Sequence, residues 1–489
     1  MAEISDSGAP GRRLVLTEIL LLIVLSVSLL LFLIYCVRVL VFPYPVDYGE
    51  GPLLDQVVRL SRFESIYRLD LTTPPFTISN YPPLYMVAQV PFRWLFGPAF
   101  WYGRLISFAS IAVSAVFIVL ITRTLTRDWL AGVIGGLIFV TIPYVSFWAP
   151  LFRVDSLALA LSLGALFVIV RWPDDRRALG GTAILLTAAV YTRQSYGLAG
   201  PLAAFLWLLA HKPRRRAFVL SALVLGLGVV FFGLLSLLTR GGFYFNIVTA
   251  NVNKFRVDQL TDWLAKIWHA MPLLLVGNGL FLLLGGWFRV RSWRLVGPYL
   301  FGAALAALTI GKAGAWVNYW LEFSAATGLV AGAFIAWQRK RPWVRHAFAL
   351  ALIFQVVWLW PIRPASEEAA YHRSVEAKLD RRIEMDQLMG VVREADGLVL
   401  ADEYMGLLPL DGRDLYIQPF EMTELARAGV WDETPFLAAI DRKEFSAILI
   451  YAPPAYPLHR ERWTPEALHR IETQYVVVDD VYGTLVYVP

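Results

Sequence analysis

Long runs of apolar residues, separated by short polar turns, make up most of the first 361 residues. Several runs exceed the roughly 18 to 20 residues that a helix needs to cross the hydrocarbon core of a bilayer. The pattern predicts about eleven crossings, at residues 14–42, 101–125, 129–149, 155–171, 178–192, 196–210, 217–239, 267–288, 294–311, 318–337 and 344–361. The short segments 178–192 and 196–210 are equally compatible with half-crossings or tilted helices. The chain is therefore predicted to be a polytopic α-helical membrane protein.

Basic residues predict how the chain is oriented. Arg12 and Arg13 precede the first run, which is too long for a cleavable signal and is expected to remain as an anchor with a cytoplasmic N-terminus. Alternate turns then face the cytoplasm, and they hold the basic clusters Arg123/Arg127, Arg171/Arg176/Arg177, Lys212/Arg214/Arg215/Arg216, Arg289/Arg291/Arg294 and Arg339/Lys340/Arg341/Arg345. Residues 43–100, residues 240–266 and the C-terminus are expected outside a bacterial cytoplasmic (inner) membrane.

The chain divides into two predicted domains. Residues 1–363 form the transmembrane domain, and within its first outer loop the apolar segment 84–96 is too short to span, so we expect a helix lying in the interface. From residue 364 the chain becomes more charged, and β-rich runs at 398–400, 415–417, 447–451, 475–478 and 484–488 alternate with helix-compatible stretches. Residues 364–489 are predicted to form a small extracytoplasmic α/β domain.

Composition supports this picture and narrows the possible functions. Hydrophobic residues are 57% of the chain and charged residues 17%, and the mean hydropathy is +0.56. The net charge of +6 arises from basic residues in short turns, which set topology, so we do not expect nucleic-acid binding. Cys36 is the single cysteine, which excludes an intramolecular disulfide and a cysteine-based zinc site, and the six histidines have no metal-ligand spacing.

The first outer loop holds the main candidate chemistry. Asp47 and Glu50 lie three residues apart and are followed by Asp55; Pro43 and Pro45 end the first crossing just before them. Two such carboxylates could share a divalent cation, or one could act as a general base on a hydroxyl. A solvated loop with helix-capping aspartates is an equal alternative.

Other polar residues lie at the predicted outer ends of helices, and they are Arg104, Arg153, Asp155, Arg193, Lys312, Asn318 and Glu322. Arg193 and Lys312 lie at the outer interface among small residues, which suits a phosphate carried on a lipid, although snorkelling or a structural ion pair would also explain them. Asn318 and Glu322 share a helical face, where Glu322 could neutralise Lys312. Asp155 is expected to cap its helix.

With these residues laid out, the chain resembles the GT-C superfamily of integral-membrane glycosyltransferases, especially bacterial protein O-mannosyltransferases and aminoarabinose transferases. The resemblance rests on the order and outward placement of five motifs, which are Asp47-Tyr48-Gly49-Glu50-Gly51, Tyr81-Pro82-Pro83-Leu84-Tyr85, Arg153-Val154-Asp155-Ser156-Leu157-Ala158-Leu159, Thr192-Arg193-Gln194-Ser195, and Gly311-Lys312-Ala313-Gly314 with Asn318-Tyr319. The first motif separates its acids by two residues, whereas some relatives have adjacent acids.

The resemblance implies a hexosyl- or pentosyltransferase that moves a sugar from a polyprenyl-phosphate donor to an acceptor hydroxyl, with inversion. Asp47 matches the family's catalytic base, and Glu50 its second acidic residue, as a supporting carboxylate or cation ligand. Arg193 and Lys312 would stabilise the departing phosphate, with Arg153 as a third candidate. Tyr81, Asn318 and Glu322 complete the expected substrate site, and the acceptor could be a glycan, a lipid or a protein.

Two other functions are compatible with the same features. Intramembrane charges and broken helices also occur in transporters, so a flippase for lipid-linked sugars is the first alternative, although no inverted repeat is visible. The second is a non-catalytic scaffold that binds a lipid phosphate and presents the tail to a partner. The tail segment 416–420, together with Val430-Trp431-Asp432, could be an acceptor platform, with buried packing as the default for such aromatics.

Overall fold

The computed structural model describes residues 16–359, 375–453 and 457–489. Arg12, Arg13 and the predicted domain boundary at 363/364 lie outside these ranges. The helices of the membrane part are Leu16–Val41, Glu50–Ser61, Leu84–Val87, Val90–Phe96, Trp101–Thr126, Trp129–Thr141, Pro143–Trp148, Asp155–Arg171, Arg176–Val190, Ala199–Leu209, Arg215–Leu238, Val257–Ala270, Pro272–Trp287, Trp293–Ala307, Leu321–Trp337 and Pro342–Leu359.

Every predicted crossing coincides with a helix. Five spans are long and apolar enough to cross a membrane by length and composition, namely Leu16–Val41, Trp101–Thr126, Arg215–Leu238, Trp293–Gly311 and Val317–Trp337, and a bent pair at 257–287 could supply a sixth. The other predicted crossings are occupied by shorter helices, so the predicted count of eleven is not confirmed. The helices and their apolar surfaces establish a multi-pass membrane protein.

Prolines account for two differences from the predicted boundaries. The segment predicted at 129–149 is two helices that meet at Ile142, which is extended because it precedes Pro143. The crossing predicted from residue 267 begins at Pro272, because the preceding helix, Val257–Ala270, meets it at 98°. The predicted interfacial helix 84–96 is also two short helices, Leu84–Val87 and Val90–Phe96.

Close backbone contact holds the centre of the bundle together. A Cβ added to Gly135 would lie 2.6 Å from the carbonyl oxygen of Gly328, and one added to Gly332 would lie 2.6 Å from that of Ala131. Small residues permit this approach between helices Trp129–Thr141 and Leu321–Trp337, as they do at many membrane helix interfaces. The second helix is accordingly the most enclosed candidate span.

The C-terminal part of the chain contains a four-stranded sheet with helices, which agrees with the predicted α/β fold class. Strands β1 (Leu398–Ala401), β2 (Phe445–Tyr451), β3 (Val476–Val481) and β4 (Thr484–Val488) lie in the order β1-β2-β4-β3. The β1–β2 pair is parallel and the other two pairs are antiparallel. Helices Arg382–Glu394, Leu407–Leu410, Pro419–Arg427, Thr434–Asp441, His459–Arg462 and Pro465–Gln474 complete the described part of the domain.

The run at 415–417 is not a strand of this sheet, so that prediction was wrong. Ile417 forms a single parallel bridge with Phe76 of the first loop, and the amide of Phe76 donates to the carbonyl of Tyr416 at 2.7 Å. Asp55 accepts a hydrogen bond from the amide of Leu415 and pairs with buried Arg59 at 2.7 Å. The tail domain is therefore docked on the first loop, and Asp55 belongs to this junction.

Candidate functional site

Glu50 is a fully buried carboxylate at the base of the first loop. Arg104, also fully buried, binds it through two hydrogen bonds of 2.9 and 2.7 Å. The backbone amides of Val46 and Phe152 each donate to Glu50 at 2.9 Å. Burial acts to raise the pKa of Glu50, but Arg104 and the amides outweigh it, so its pKa is lowered.

Arg104 also connects Glu50 to the end of the first membrane helix. Its remaining guanidinium hydrogens go to the carbonyls of Val39, Phe42 and Tyr44 at 2.8, 2.5 and 2.7 Å. The last carbonyls of a helix lack partners inside the helix, and a guanidinium satisfies them. The Glu50–Arg104 pair thus fixes the point at which the first helix ends and the loop begins.

Asp47 has a different environment, although it lies only three residues away. Its side chain is 14% exposed, and its Oδ2 lies 2.5 Å from Arg153 Nη2. The same oxygen accepts from the amide of Gly49 at 2.9 Å. Burial raises the pKa of Asp47 against the lowering effect of Arg153, which makes this carboxylate a better base than an ordinary aspartate.

Glycine is required beside this pair. A Cβ added to Gly49 would lie 1.8 Å from Arg153 Nη1, so a larger residue would displace the guanidinium from Asp47. A Cβ on Gly51 would lie 2.7 Å from the amide nitrogen of Gly406 in the tail. The motif's two glycines therefore admit Arg153 on one side and the tail domain on the other.

Trp148 connects Asp47 to the second group of predicted residues. The guanidinium of Arg153 lies 4.9 Å from the centre of the Trp148 ring, and the indole Nε1 donates to Asp155 Oδ2 at 2.8 Å. Asp155 in turn forms an ion pair with Arg193. Trp148 was not among the residues predicted from sequence, because a tryptophan in an apolar run resembles any other core residue.

The predicted roles of Asp155 and Glu322 need correction. The N-cap of this helix is Val154, without a side-chain capping hydrogen bond; Asp155, the first residue of the helix, instead binds Trp148, Arg193 and the side-chain amide of Asn318, the last at 3.2 Å. Glu322 lies buried beside Ser162 and Tyr299, with Arg193 as its neighbouring cation, so it does not neutralise Lys312. Both carboxylates lie on the Arg193 side of the site.

Lys312 is held in a loop between two helices and is half-buried. Its backbone carbonyl accepts from Gln259 Nε2 at 2.8 Å, and its ammonium forms no ion pair within residues 16–359, 375–453 and 457–489. The neighbouring Gly314, at φ +75°, lies against the ring of Phe420, whose amide donates to the hydroxyl of Tyr48. Phe420 of the tail domain therefore connects the Lys312 loop to Tyr48, the residue that follows Asp47.

Tyr81 belongs to a segment packed on the Arg193 turn. The carbonyl of Asn80 accepts from Gln194 Nε2 at 2.9 Å, and the amide of Leu84 donates to the carbonyl of Tyr191. The structure therefore brings Tyr81 to the same outer region as the other predicted residues. Arg193 itself is 4% exposed and lies with its guanidinium 4.6 Å from the centre of the Tyr319 ring.

The tail domain adds a buried charge network that sequence reasoning missed. Glu403 pairs with Lys378 and Arg462, and Lys378 also donates to the carbonyl of Val46 at 3.2 Å. Burial opposes ionisation of Glu403, but the two cations outweigh it and lower its pKa to about 2. Glu403 is the second residue after β1, at the carboxyl edge of the parallel strand pair, where functional side chains often lie. That position was the available sequence signal.

Tyr48 completes the junction between loop and tail. Arg462 lies 4.6 Å from the centre of its ring, and its hydroxyl donates to Glu421 at 3.0 Å. The proposed acceptor platform is not formed: Trp431 is 7% exposed and donates from its indole to the carbonyl of Leu71 at 3.0 Å. The tail aromatics therefore pack against the first loop, which was the default expectation.

The Asp47 and Glu50 carboxylates do not fit a divalent cation as they are arranged. Each is bound by a guanidinium, from Arg153 and Arg104 respectively, and Glu50 also accepts two backbone amides. Among the described residues, no group of three or more histidine, cysteine, aspartate or glutamate side chains could hold a metal ion. The chemistry below is therefore derived from side chains alone.

Comparisons with known proteins agree with this architecture. Residues 80–238 match the family described as dolichyl-phosphate-mannose-protein mannosyltransferase. The crystal structure of ArnT from Cupriavidus metallidurans bound to undecaprenyl phosphate is similar with a TM-score of 0.61 at 16% identity, over 97% of this chain and 98% of that one. A search of curated proteins found no match.

A second solved relative has the same fold in a longer chain. The archaeal oligosaccharyltransferase AglB from Archaeoglobus fulgidus, in complex with an inhibitory peptide and a dolichol-phosphate, has a TM-score of 0.53 at 12% identity, over 88% of this chain and 69% of that one. The predicted resemblance and fold class are thereby confirmed. The chain has the GT-C fold of integral-membrane glycosyltransferases and resembles protein mannosyltransferases and aminoarabinose transferases.

Proposed function

We propose that this protein is a membrane glycosyltransferase that transfers a sugar from a polyprenyl-phosphate donor to an acceptor hydroxyl on the outer face. The observation that carries the proposal is the contrast between the Asp47 carboxylate and the Lys312 ammonium. Asp47 keeps a partly exposed carboxylate of raised pKa, while Lys312, joined to the same region through Phe420 and Tyr48, is a cation without a carboxylate partner among the described residues.

Asp47 acts as the general base in this proposal. Both of its contacts within the described chain use Oδ2, so Oδ1 is the oxygen that accepts the proton of the acceptor hydroxyl. The acceptor oxygen then attacks the anomeric carbon as the bond to the phosphate oxygen breaks, with inversion. Arg153 orients Asp47 and keeps enough of it ionised to accept a proton.

Lys312 stabilises the departing lipid phosphate. An ammonium without a carboxylate partner binds a phosphate without first breaking an ion pair. Arg193, which is paired with Asp155, adds to the positive electrostatic potential at the phosphate site. Tyr81 and Asn318 shape the site through the Arg193 turn and Asp155. Glu50, with all of its contacts made inside the loop, positions the segment that carries Asp47. Glu50 is therefore proposed as a positioning residue rather than as a cation ligand.

A lipid-phosphate donor is supported by the solved relatives, since ArnT is described as bound to undecaprenyl phosphate and AglB to a dolichol-phosphate. The direct test is to incubate the purified protein with a panel of polyprenyl-phosphate sugars and candidate acceptors, and to measure both lipid-phosphate release and labelled product. We expect product with wild type and not with Asp47→Asn. The matched control is Asp258→Asn, which changes an exposed carboxylate paired with Arg256.

The same preparation distinguishes a flippase. In liposomes, transbilayer movement of a fluorescent donor without lipid-phosphate release would contradict the transferase and support transport. The anomeric configuration of the product, read by nuclear magnetic resonance, tests inversion. Retention of configuration would contradict a single displacement with Asp47 as base.

A further inference from the structure

A cationic cavity lies at the end of the bundle opposite Asp47. Helices Trp101–Thr126 and Asp155–Arg171 both begin at the Asp47 end, where Arg104 and Asp155 make their ion pairs. Their other ends lie at the far side of the bundle, about 39 Å away along the 26-residue helix and about 26 Å away along the 17-residue helix. Those far ends line a cavity of about 450 Å³.

Every charged residue that lines this cavity is an arginine. The four are Arg123, Arg127, Arg171 and Arg291, and they come from three separate segments of the chain. None forms an ion pair with any carboxylate in the described ranges. Arg123 and Arg171 instead lie over the rings of Trp129 and Trp172, at 3.9 and 5.5 Å from the ring centres. Aromatic faces hold a guanidinium in place without cancelling its charge.

The floor of the cavity supplies an unused hydrogen-bond donor. Trp207 lines the cavity and is 2% exposed, and its indole Nε1 has no hydrogen-bond partner in the part of the chain that the structure describes. The His211 ring lies against this ring, with the centres 4.4 Å apart and the planes tilted by 44°, and its Nδ1 donates to the Trp207 carbonyl at 2.6 Å. A buried N–H without an acceptor is costly, and an anionic oxygen in the cavity would satisfy it.

Topology alone does not explain this arrangement. Basic residues on one side of a membrane orient the chain wherever they lie near a helix end. Arg177 and Arg214 lie on the same side as the cavity and are exposed, as the four cavity arginines are, but they are not among its lining residues. Convergence of four unpaired arginines around a buried orphan donor is the chemistry of an anion site.

We propose that this cavity binds the phosphate group of an anionic lipid from the membrane leaflet opposite the Asp47 site. Its position at the membrane ends of several helices places it at headgroup depth, where basic pockets between helices bind anionic headgroups. Guanidinium groups bind the two non-ester oxygens of a lipid phosphate, and the Trp207 indole is a further donor to one of them. Free inorganic phosphate has the same chemistry, so the test separates the two sources.

The test uses the full chain in phosphatidylcholine nanodiscs and measures binding of fluorescent phosphatidylglycerol, with inorganic phosphate as a competitor. The double variant Arg127→Gln/Arg291→Gln should weaken lipid binding on the order of 30-fold, from two basic contacts. Trp207→Phe, which keeps the ring and removes the N–H, should weaken it about fivefold. Neither measurement depends on glycosyl transfer.

Arg177→Gln/Arg214→Gln is the matched control, because it removes the same charge from the same face. We expect it to bind lipid as wild type does. Equal loss in the control and cavity variants would overturn the site, as would unchanged binding in the cavity double variant. Tight binding of inorganic phosphate that the cavity variant loses, without any binding of phosphatidylglycerol, would overturn the lipid source.

Discussion

The first loop holds two carboxylate–guanidinium ion pairs, one at its outer surface and one at its buried base, and their different environments suit them to different roles. At the base, Glu50 and Arg104 are fully buried, and the carboxylate also accepts two backbone amides. At the surface, Asp47 and Arg153 are 14% and 17% exposed, and the carboxylate contacts use one oxygen. A carboxylate with all its contacts made inside the protein can only hold structure, whereas a partly exposed one can exchange protons with a ligand.

The largest expected effect is on the buried base. Glu50→Gln leaves the charge of Arg104 buried without its partner, and breaking a buried pair costs about 3–5 kcal/mol. We expect a lower thermal unfolding temperature and poor yield of folded protein in detergent. Asp47→Asn is the matched control, and it should unfold near the wild-type temperature. If Glu50→Gln unfolded like wild type, the two pairs would not differ as described.

The second prediction tests whether Lys312 binds the phosphate of the donor. Lys312→Ala should weaken donor binding by about 10- to 100-fold, since a charge-assisted hydrogen bond is worth about 1.5–3 kcal/mol. Affinity for a non-transferable donor analogue measures this without turnover. Lys254→Ala is the control, because Lys254 is exposed and lies in the facing segment. Equal affinity in wild type and Lys312→Ala would remove Lys312 from the phosphate site.

The third effect concerns pH. Asp47 must be ionised to accept a proton, so transfer should fall as the pH falls through its raised pKa. Arg153→Gln removes the cation that lowers this pKa, so the acidic limb of the rate profile should move to higher pH. Arg153→Lys, which keeps the charge, should move it less. A limb that stayed in place in Arg153→Gln would mean that another group titrates.

The smallest effect lies where the tail supports the loop. Glu403 has a pKa of about 2 in the folded protein, below its ordinary value, so its pairing stabilises the fold at neutral pH and is lost as the pH falls towards 2. Lys378→Met should lower the unfolding free energy at pH 7 by about 1.5 kcal/mol, because Arg462 still pairs with Glu403, and the difference should be smaller in acid. Lys443→Met, at an exposed position, is the control. A Lys378→Met effect independent of pH would contradict this charge pairing.

The lengths of the apolar runs predicted the membrane helices well. Lipid offers no hydrogen-bond partners, so the backbone N–H and C=O groups of an apolar run must bond to one another, as they do in a helix. The predicted positions of some elements were wrong where local sequence preference competes with contacts far along the chain or with a proline. The run at 415–417 has a strand-like composition, yet Ile417 bridges to Phe76, more than 300 residues away. Pro272, rather than the apolar run, sets where its helix begins.

For the site, the order of motifs predicted Asp47, Arg153, Arg193 and Lys312, and their roles remain predictions; the structure connects the first three through Trp148 and Asp155. Which carboxylate is buried could not be predicted, since Asp47 and Glu50 share one motif and differ only in their partners. Trp148 and Glu403 were missed for the same reason: their roles depend on contacts with residues far along the chain or in another domain.

The most direct test of the central claim separates donor binding from chemistry in Asp47→Asn. Single-turnover transfer and donor-analogue affinity should be measured on the same folded preparation, beside Asp258→Asn. Loss of a general base should slow transfer by about 10²–10⁴-fold while donor affinity stays near wild type. Transfer by Asp47→Asn at the wild-type rate would contradict the assignment of Asp47 as the base.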